Sequence, residues 1–258
     1  MTARIHTDQP LTPGVSLSLP PVAARHVQVL RLQPGHSITL FHGDGETEGE
    51  FSATIQSMGR SDVTVLVGEF KPTPAEATCA VHVAIGMPAN ERMDWLVEKA
   101  TELGVASIQP LMTERSVLRL AGERAEKKRL HWHGIAVAAC EQSGRNRVPL
   151  VHAPASLGDW LRTQAAEPPQ DTKRLLLSLQ AAAHPLAYAV SGSESMTLKP
   201  ITFKSITFLS GPEGGLSAAE EAAAFAKGFG AVSLGPRVLR SETAPLACLS
   251  WLMLTGNT

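Results

Sequence analysis

The chain has 258 residues, 43% of them hydrophobic and 18% charged, with a formal net charge of -1. That length allows two domains that each bury a core, and the composition excludes the disordered classes. The near-neutral charge excludes a globally basic nucleic-acid binder, so any RNA contact must come from local patches.

No run approaches the roughly 20 consecutive apolar residues of a membrane helix, and the opening MTARIHTDQPLTPG lacks the apolar core of an export signal. The sequence therefore predicts a cytoplasmic protein with no membrane partner. Cys79, Cys140 and Cys248 stand far apart without metal-type pairing and read as buried thiols.

In chain order, PVAARHVQVLRL (21 to 32) reads as a short helix. HSITLF (36 to 41), EGEFSATI (48 to 55) and SDVTVLVGEF (61 to 70) then alternate as strands do. The turn His42-Gly43-Asp44-Gly45 between the first two is a hairpin signal, which predicts a small antiparallel barrel or sheet. Lys71-Pro72-Thr73-Pro74 punctuates the chain and sets the expected boundary between domains 1–74 and 75–258.

Beyond it, strand-like apolar runs alternate with helical ones, the signature of an α/β domain with a mostly parallel sheet. The predicted strands are 80 to 86, 105 to 112, 148 to 152, 174 to 179, 206 to 211 and 231 to 235. Between the first two, Met93, Leu96, Val97, Ala100 and Leu103 recur at helical spacing, with Asn90 as cap and Gly104 as stop. Ser217-Ala-Ala-Glu220 has the form of a capping box. SETAPLACLSWLML offers Ser241 or Thr243 as caps to an almost wholly apolar helix, which must be buried in a core or an oligomer interface. Ser191 to Thr197 reads as a surface loop.

The chemistry is expected in two turns, Gly211 to Gly215 and Leu234 to Arg240, each following a strand and opening onto a capped helix. Ligands of open α/β sheets bind at such strand ends, where glycines let them approach backbone amides. The competing reading is that these glycines simply make tight turns. A dinucleotide fingerprint and a Walker A loop are absent. His131 and His133 point away from each other on a helix and have no third ligand at a useful spacing, so no metal is expected. Arg115, Arg119, Arg124, Lys127, Lys128 and Arg129 form one basic stretch and Arg145 with Arg147 another, either RNA contacts or solvated helix faces.

The segments HVQVLRLQPG, RMDWLVEKATELGV, ERSVLRL, AACEQSGRNRVP, SGPEGGLSAAE and LGPRVLRSETAPLA resemble the RsmE family of ribosomal RNA methyltransferases, within the SPOUT superfamily. The last two segments in tandem are the most specific. The resemblance implies a knotted C-terminal methyltransferase domain, a PUA-like β-barrel for RNA before it, and a homodimer. It also implies methyl transfer from S-adenosylmethionine to N3 of a uridine in the decoding region of 16S rRNA, with the small ribosomal subunit as partner.

The cofactor would then lie against Leu179, Leu209, Ser210, Gly211, Pro212, Glu213, Gly214, Gly215, Leu234, Gly235, Val238, Leu239 and Arg240. Arg240 is expected to stabilise charge on the uracil oxygens and Glu242 to accept the N3 proton, although Arg240 could instead pair with Glu213 or Glu242 and brace the loops. His26, Arg31, Arg115, Arg145 and Arg147 are the candidate RNA contacts, with Glu141 beside them. Two other functions compete. A SPOUT ribose 2′-O-methyltransferase usually carries a Ser-Leu-Asn run where this chain has RSETAPLA, and a noncatalytic RNA-binding assembly factor would not bind S-adenosylmethionine.

Overall fold

The computed structural model describes residues 2–44, 48–191 and 203–256, which leaves outside it most of the expected surface loop after Ser191 and the last residue of the His42–Gly45 turn. The chain divides into two compact units, Met1–Glu76 with Val137–Val148, and Ala77–Ala136 with Pro149–Thr258.

In the first unit, β1 (Arg4–His6), β2 (Ser16–Ser18), β3 (Ser37–Phe41), β4 (Gly49–Met58) and β5 (Val63–Pro72) form one sheet in the order β1-β3-β4-β5-β2, with α1 (Pro21–Val29) after β2. Pairing is antiparallel except between β1 and β3. The alternation read in the sequence is the burial pattern. Phe51, Ala53 and Ile55 of β4 and Val63, Val65 and Val67 of β5 point inward and pack with Ala23, Ala24 and Val27 of α1. Pro21 opens α1, where its missing N–H costs nothing. The helix ends three residues earlier than the expected range, and Arg31 then takes a left-handed conformation, φ 55°.

The second unit is built from β6 (Ala80–Gly86), α2 (Asn90–Glu102), β7 (Ser107–Met112), α3 (Gly122–Ser143), β8 (Leu150–Val151), β9 (Ala155–Ser156), α4 (Leu157–Thr163), β10 (Thr172–Leu177), β11 (His184–Pro185), α5 (Leu186–Ser191), β12 (Ser205–Ser210), α6 (Ala218–Phe225), β13 (Gly230–Ser233) and α7 (Thr243–Gly256). The last turns of α3 belong to the first unit. All pairings are parallel, in the order β11-β13-β10-β12-β6-β7-β8, with β9 also on β7. The six predicted strands are all present, and the two-residue strands β9 and β11 extend the sheet.

Central strands of parallel sheets are buried on both faces and so read as continuous apolar runs, as Val81, Val83, Ala84 and Ile85 of β6 do. On α2, Met93, Leu96, Val97 and Ala100 are fully buried, and Gly104, φ 86°, ends the helix. The cap differs from expectation: Ala89 occupies it, and Asn90 is the first helical residue. The capping box of α6 is complete. Ser241 does not cap α7, because its hydroxyl donates to Glu242 Oε2 at 3.2 Å, and Thr243 opens the helix.

α7 packs on α2 and β12, burying Leu246, Cys248, Leu249 and Leu252 while Leu254 stays exposed. The three cysteines are free and buried, and burial pushes the Cys140 thiol up to about 12. Among the described residues no helix is long and apolar enough to cross a membrane.

Candidate functional site

Because β13, β10 and β12 are neighbours in the sheet, the turns leaving their carboxyl ends lie side by side. Together they enclose a cavity of about 610 Å³ in the second unit, within the roughly 300–1,000 Å³ of ordinary cofactor sites. Leu177, Ser178 and Leu179 line it from β10, Ser210 to Leu216 from β12, and Leu234 to Ser241, apart from Pro236, from β13. At its mouth Leu179 and Val238 are 74% and 77% exposed, apolar surface that a bound ligand would cover.

The β12 turn is drawn tight. The Gly215 N–H donates to the Pro212 carbonyl at 2.8 Å, and Gly215 has φ 70°. A Cβ on Gly211 would stand 2.7 Å from the Gly215 carbonyl carbon and 2.8 Å from the Leu216 nitrogen. On the other side of the turn, a Cβ on Gly86 would stand 2.5 Å from Pro212 Cδ and 2.7 Å from its nitrogen. Only glycine at both places lets the backbones approach this closely.

Three side chains from outside the turns hold them. Arg115 Nη1 donates to the Gly214 carbonyl at 2.8 Å. Glu213 Oε1 accepts from the Ala89 N–H at 3.1 Å and from Arg92 Nη1 at 2.9 Å, and Arg92 Nε lies 3.9 Å from Glu242 Oε1. Glu220 uses Oε2 to accept the Ser217 N–H inside its capping box and Oε1 to accept the Glu114 N–H at 2.7 Å. Arg92 therefore links the β12 turn to the segment entering α7.

The model of the RNA methyltransferase domain family matches residues 75–253, well over half of the chain. The chain belongs to the RNA methyltransferase family. It is 33% identical over 224 residues to the ribosomal RNA small subunit methyltransferase E of Bacillus subtilis, covering 87% of this chain and 84% of that one. A ribosomal RNA small subunit methyltransferase E of Neisseria gonorrhoeae, solved bound to S-adenosyl methionine, superimposes with TM-score 0.85 at 32% identity, covering 98% of this chain and 97% of that one. A methyltransferase of Legionella pneumophila in complex with the cofactor SAM superimposes with TM-score 0.87 at 35% identity, covering 100% and 99% of the two chains.

Of the residues expected to hold the cofactor of this methyltransferase, Leu179, Ser210, Gly211, Pro212, Glu213, Gly214, Gly215, Leu234, Gly235, Val238, Leu239 and Arg240 line the cavity. Leu209 does not: it is fully buried in the core with Ala84, Leu111 and Leu176, one residue behind the wall. Glu242, expected as the proton acceptor and not as a cofactor contact, is 5% exposed beside Arg92 and Ser241 and is not among the residues that line the cavity. Arg240 is exposed, and among the described residues no ion pair involves its guanidinium, because Arg92 holds both Glu213 and Glu242.

Sequence reasoning did not include Arg92, Leu177, Leu216, Val232, Arg237 and Ser241, which also line the cavity. Leu177 had a usable signal, since it sits two residues from the carboxyl end of the predicted strand 174 to 179.

The RNA candidates separate. Arg31 and Arg147 are exposed. His26 is half-buried with Nδ1 3.0 Å from Glu141 Oε2, and the other Glu141 oxygen accepts the His6 N–H at 3.0 Å. Arg115 is exposed on the cavity wall but braces Gly214. Arg145 corrects the expectation: it is 5% exposed, and its guanidinium is paired with Glu76 at 2.6 Å, so no nucleic acid can reach it.

Arg145→Ala is expected to destabilise the first unit by about 3 kcal/mol, the cost of leaving a carboxylate without its buried partner. Denaturant unfolding measures that loss, and an unchanged midpoint would contradict it. His131 and Trp132 both bond to Asp94, at 2.8 and 2.9 Å, which accounts for that histidine without a metal. No cluster suited to a metal ion occurs among the described residues.

Proposed function

We propose that this protein methylates N3 of a uridine in the 3′ decoding region of 16S rRNA, with S-adenosylmethionine as donor and the small ribosomal subunit as substrate, in the cytoplasm. The observation that carries the reading is the three-turn cavity in a chain that aligns over nearly its whole length with methyltransferases solved with that cofactor.

The residues present fit it. Glycine turns leave backbone amides and carbonyls open to the edges of an adenine and a ribose, Leu177, Leu234 and Leu239 offer apolar walls, and the volume is adequate. When bound, the cofactor supplies an activated methyl group on a sulfonium. The protein's task is then to hold the uracil with N3 about 3–3.5 Å from that methyl, in line with the bond that breaks. N3 begins protonated. Arg240, exposed on the cavity wall and in no ion pair among the described residues, stabilises negative charge on the uracil oxygens as the proton passes to water at the open mouth. Glu242 acts from behind the wall, fixing Arg92 and through it the Glu213 turn.

In this reading residues 1–74 form the PUA-like RNA-binding domain, where Arg31 and His26 meet phosphate, and residues 75–258 form the knotted SPOUT domain, whose Arg147 belongs to the segment that packs in the first unit and meets phosphate as well. The path of the last strand supports the knot: β13 lies beyond β10 from β12, yet the chain returns to place α7 on α2 and β12. The exposed Leu254 on α7 and Trp95 on α2 support a homodimer that covers them.

The decisive experiment is methyl transfer to small-subunit particles from cells lacking the protein, with mass mapping of the product. Label on a uracil base carries the reading, whereas label on ribose, or none, overturns it.

A further inference from the structure

The second unit carries a cluster of cations at the start of α3. The amino end of α3 bears the positive end of the helix dipole, where each carboxylate gains and each cation loses about 0.3–1 kcal/mol. Its first turn contains a single acid, Glu123, and its last turn contains no base. Arg124 lies in that first turn, and Lys127, Lys128 and Arg129 follow in the second, beyond the dipole's reach. Arg129 is accounted for by its ion pair with Glu126. Arg124, Lys127 and Lys128 make no ion pair among the described residues, not even Lys127 with Glu123 one turn before it.

At 3.6 residues per turn, positions i, i+3 and i+4 share one face, so these three cations stand together. Trp132 and Ala136 bury the adjoining face of the same helix, so Lys128, one turn before Trp132, is half-buried at its edge while Arg124 and Lys127 are exposed. Just before the helix, exposed Arg119 is held to the Glu114 carbonyl at 3.0 Å, and Arg115 lies on the wall of the cofactor cavity. Along the chain the cations thus run from Arg115 on the cavity wall to the start of α3.

We infer that Arg119, Arg124, Lys127 and Lys128 bind the phosphodiester backbone of the RNA strand that leads into the methylation site. The inference rests on the RNA methyltransferase reading above and adds a contact surface on the catalytic unit itself. An occupant with closely spaced negative charges neutralises three cations that no carboxylate among the described residues pairs. It also accounts for a cationic face on a chain whose net charge is -1.

The test is R124Q/K127Q/K128Q, titrated with a protein-free 16S rRNA 3′ fragment across a range of salt. Removing three phosphate contacts should reduce the slope of log affinity against log salt by about 2, at about 0.7 per contact to single-stranded RNA. S-adenosylmethionine affinity measured by calorimetry should stay at the wild-type value, which shows the variant is folded. The charge-preserving R124K/K127R/K128R should restore the slope.

An unchanged slope in the glutamine variant overturns the inference. So does weakened binding to whole subunits with normal binding to naked RNA, which would assign the strip to a protein partner. If the slope falls but the wild-type protein transfers no methyl group to RNA, the strip stands and the proposed function fails.

Discussion

Alanine in place of Arg240 is expected to lower kcat about 100- to 1,000-fold, the usual cost of removing one preorganised donor to developing charge. Affinity for S-adenosylmethionine should change little by comparison. The expectation follows from how the acidic groups are shared. Arg92 occupies both Glu213 and Glu242, so the Arg240 guanidinium stays on the cavity wall, exposed and in no ion pair among the described residues. Had Arg240 been the brace between the loops, its loss would first be felt in cofactor binding and in stability. Single-turnover kinetics with saturating RNA, set beside calorimetry with the cofactor, separate the two. A variant with normal kcat and weakened cofactor binding would return Arg240 to a bracing role.

Gly211→Ala should weaken cofactor binding on the order of 100-fold while leaving the protein folded. The added methyl would meet backbone atoms of Gly215 and Leu216 at 2.7 to 2.9 Å. The colliding atoms are main chain, so no side-chain rotation relieves the contact and the turn itself must move. On the far side Pro212 already lies against Gly86, which blocks retreat in that direction. A displacement of about 1 Å in groups that position a reacting centre costs on the order of 100-fold. Calorimetry gives the affinity and circular dichroism verifies the fold. Wild-type affinity in Gly211→Ala would mean that the turn is not the cofactor's cradle.

What was legible in the sequence was local. The buried stripe of α2, the capping box at Ser217 and Glu220, and the two glycine turns each declare themselves within a dozen residues, because helix period, cap chemistry and turn chemistry are short-range. What was not legible depends on partners distant in the chain. Arg92 meets Glu213 across 121 residues, and nothing near either residue announces the other. Arg145 looked like a free cation because Glu76, which pairs with it, lies 69 residues earlier. Glu242 and Leu209 carried the right chemistry in the right segments, but one residue of displacement along a chain entering or leaving the sheet decides between wall and interior.

Glu220 divides its two oxygens between the start of its own helix and the amide of Glu114, and Arg115, the next residue, holds Gly214. The segment around residue 114 and the start of α6 are therefore tied together at both ends of the β12 turn. Each bond joins a side chain to a main-chain group, so a change at Glu220 loses the tie to residue 114 and a change at Arg115 loses the tie to Gly214, one bond apiece. Because the main-chain partner does not depend on the side chain, the turn tolerates substitution at positions 114 and 214 far better, as far as these bonds go, than at 115 and 220.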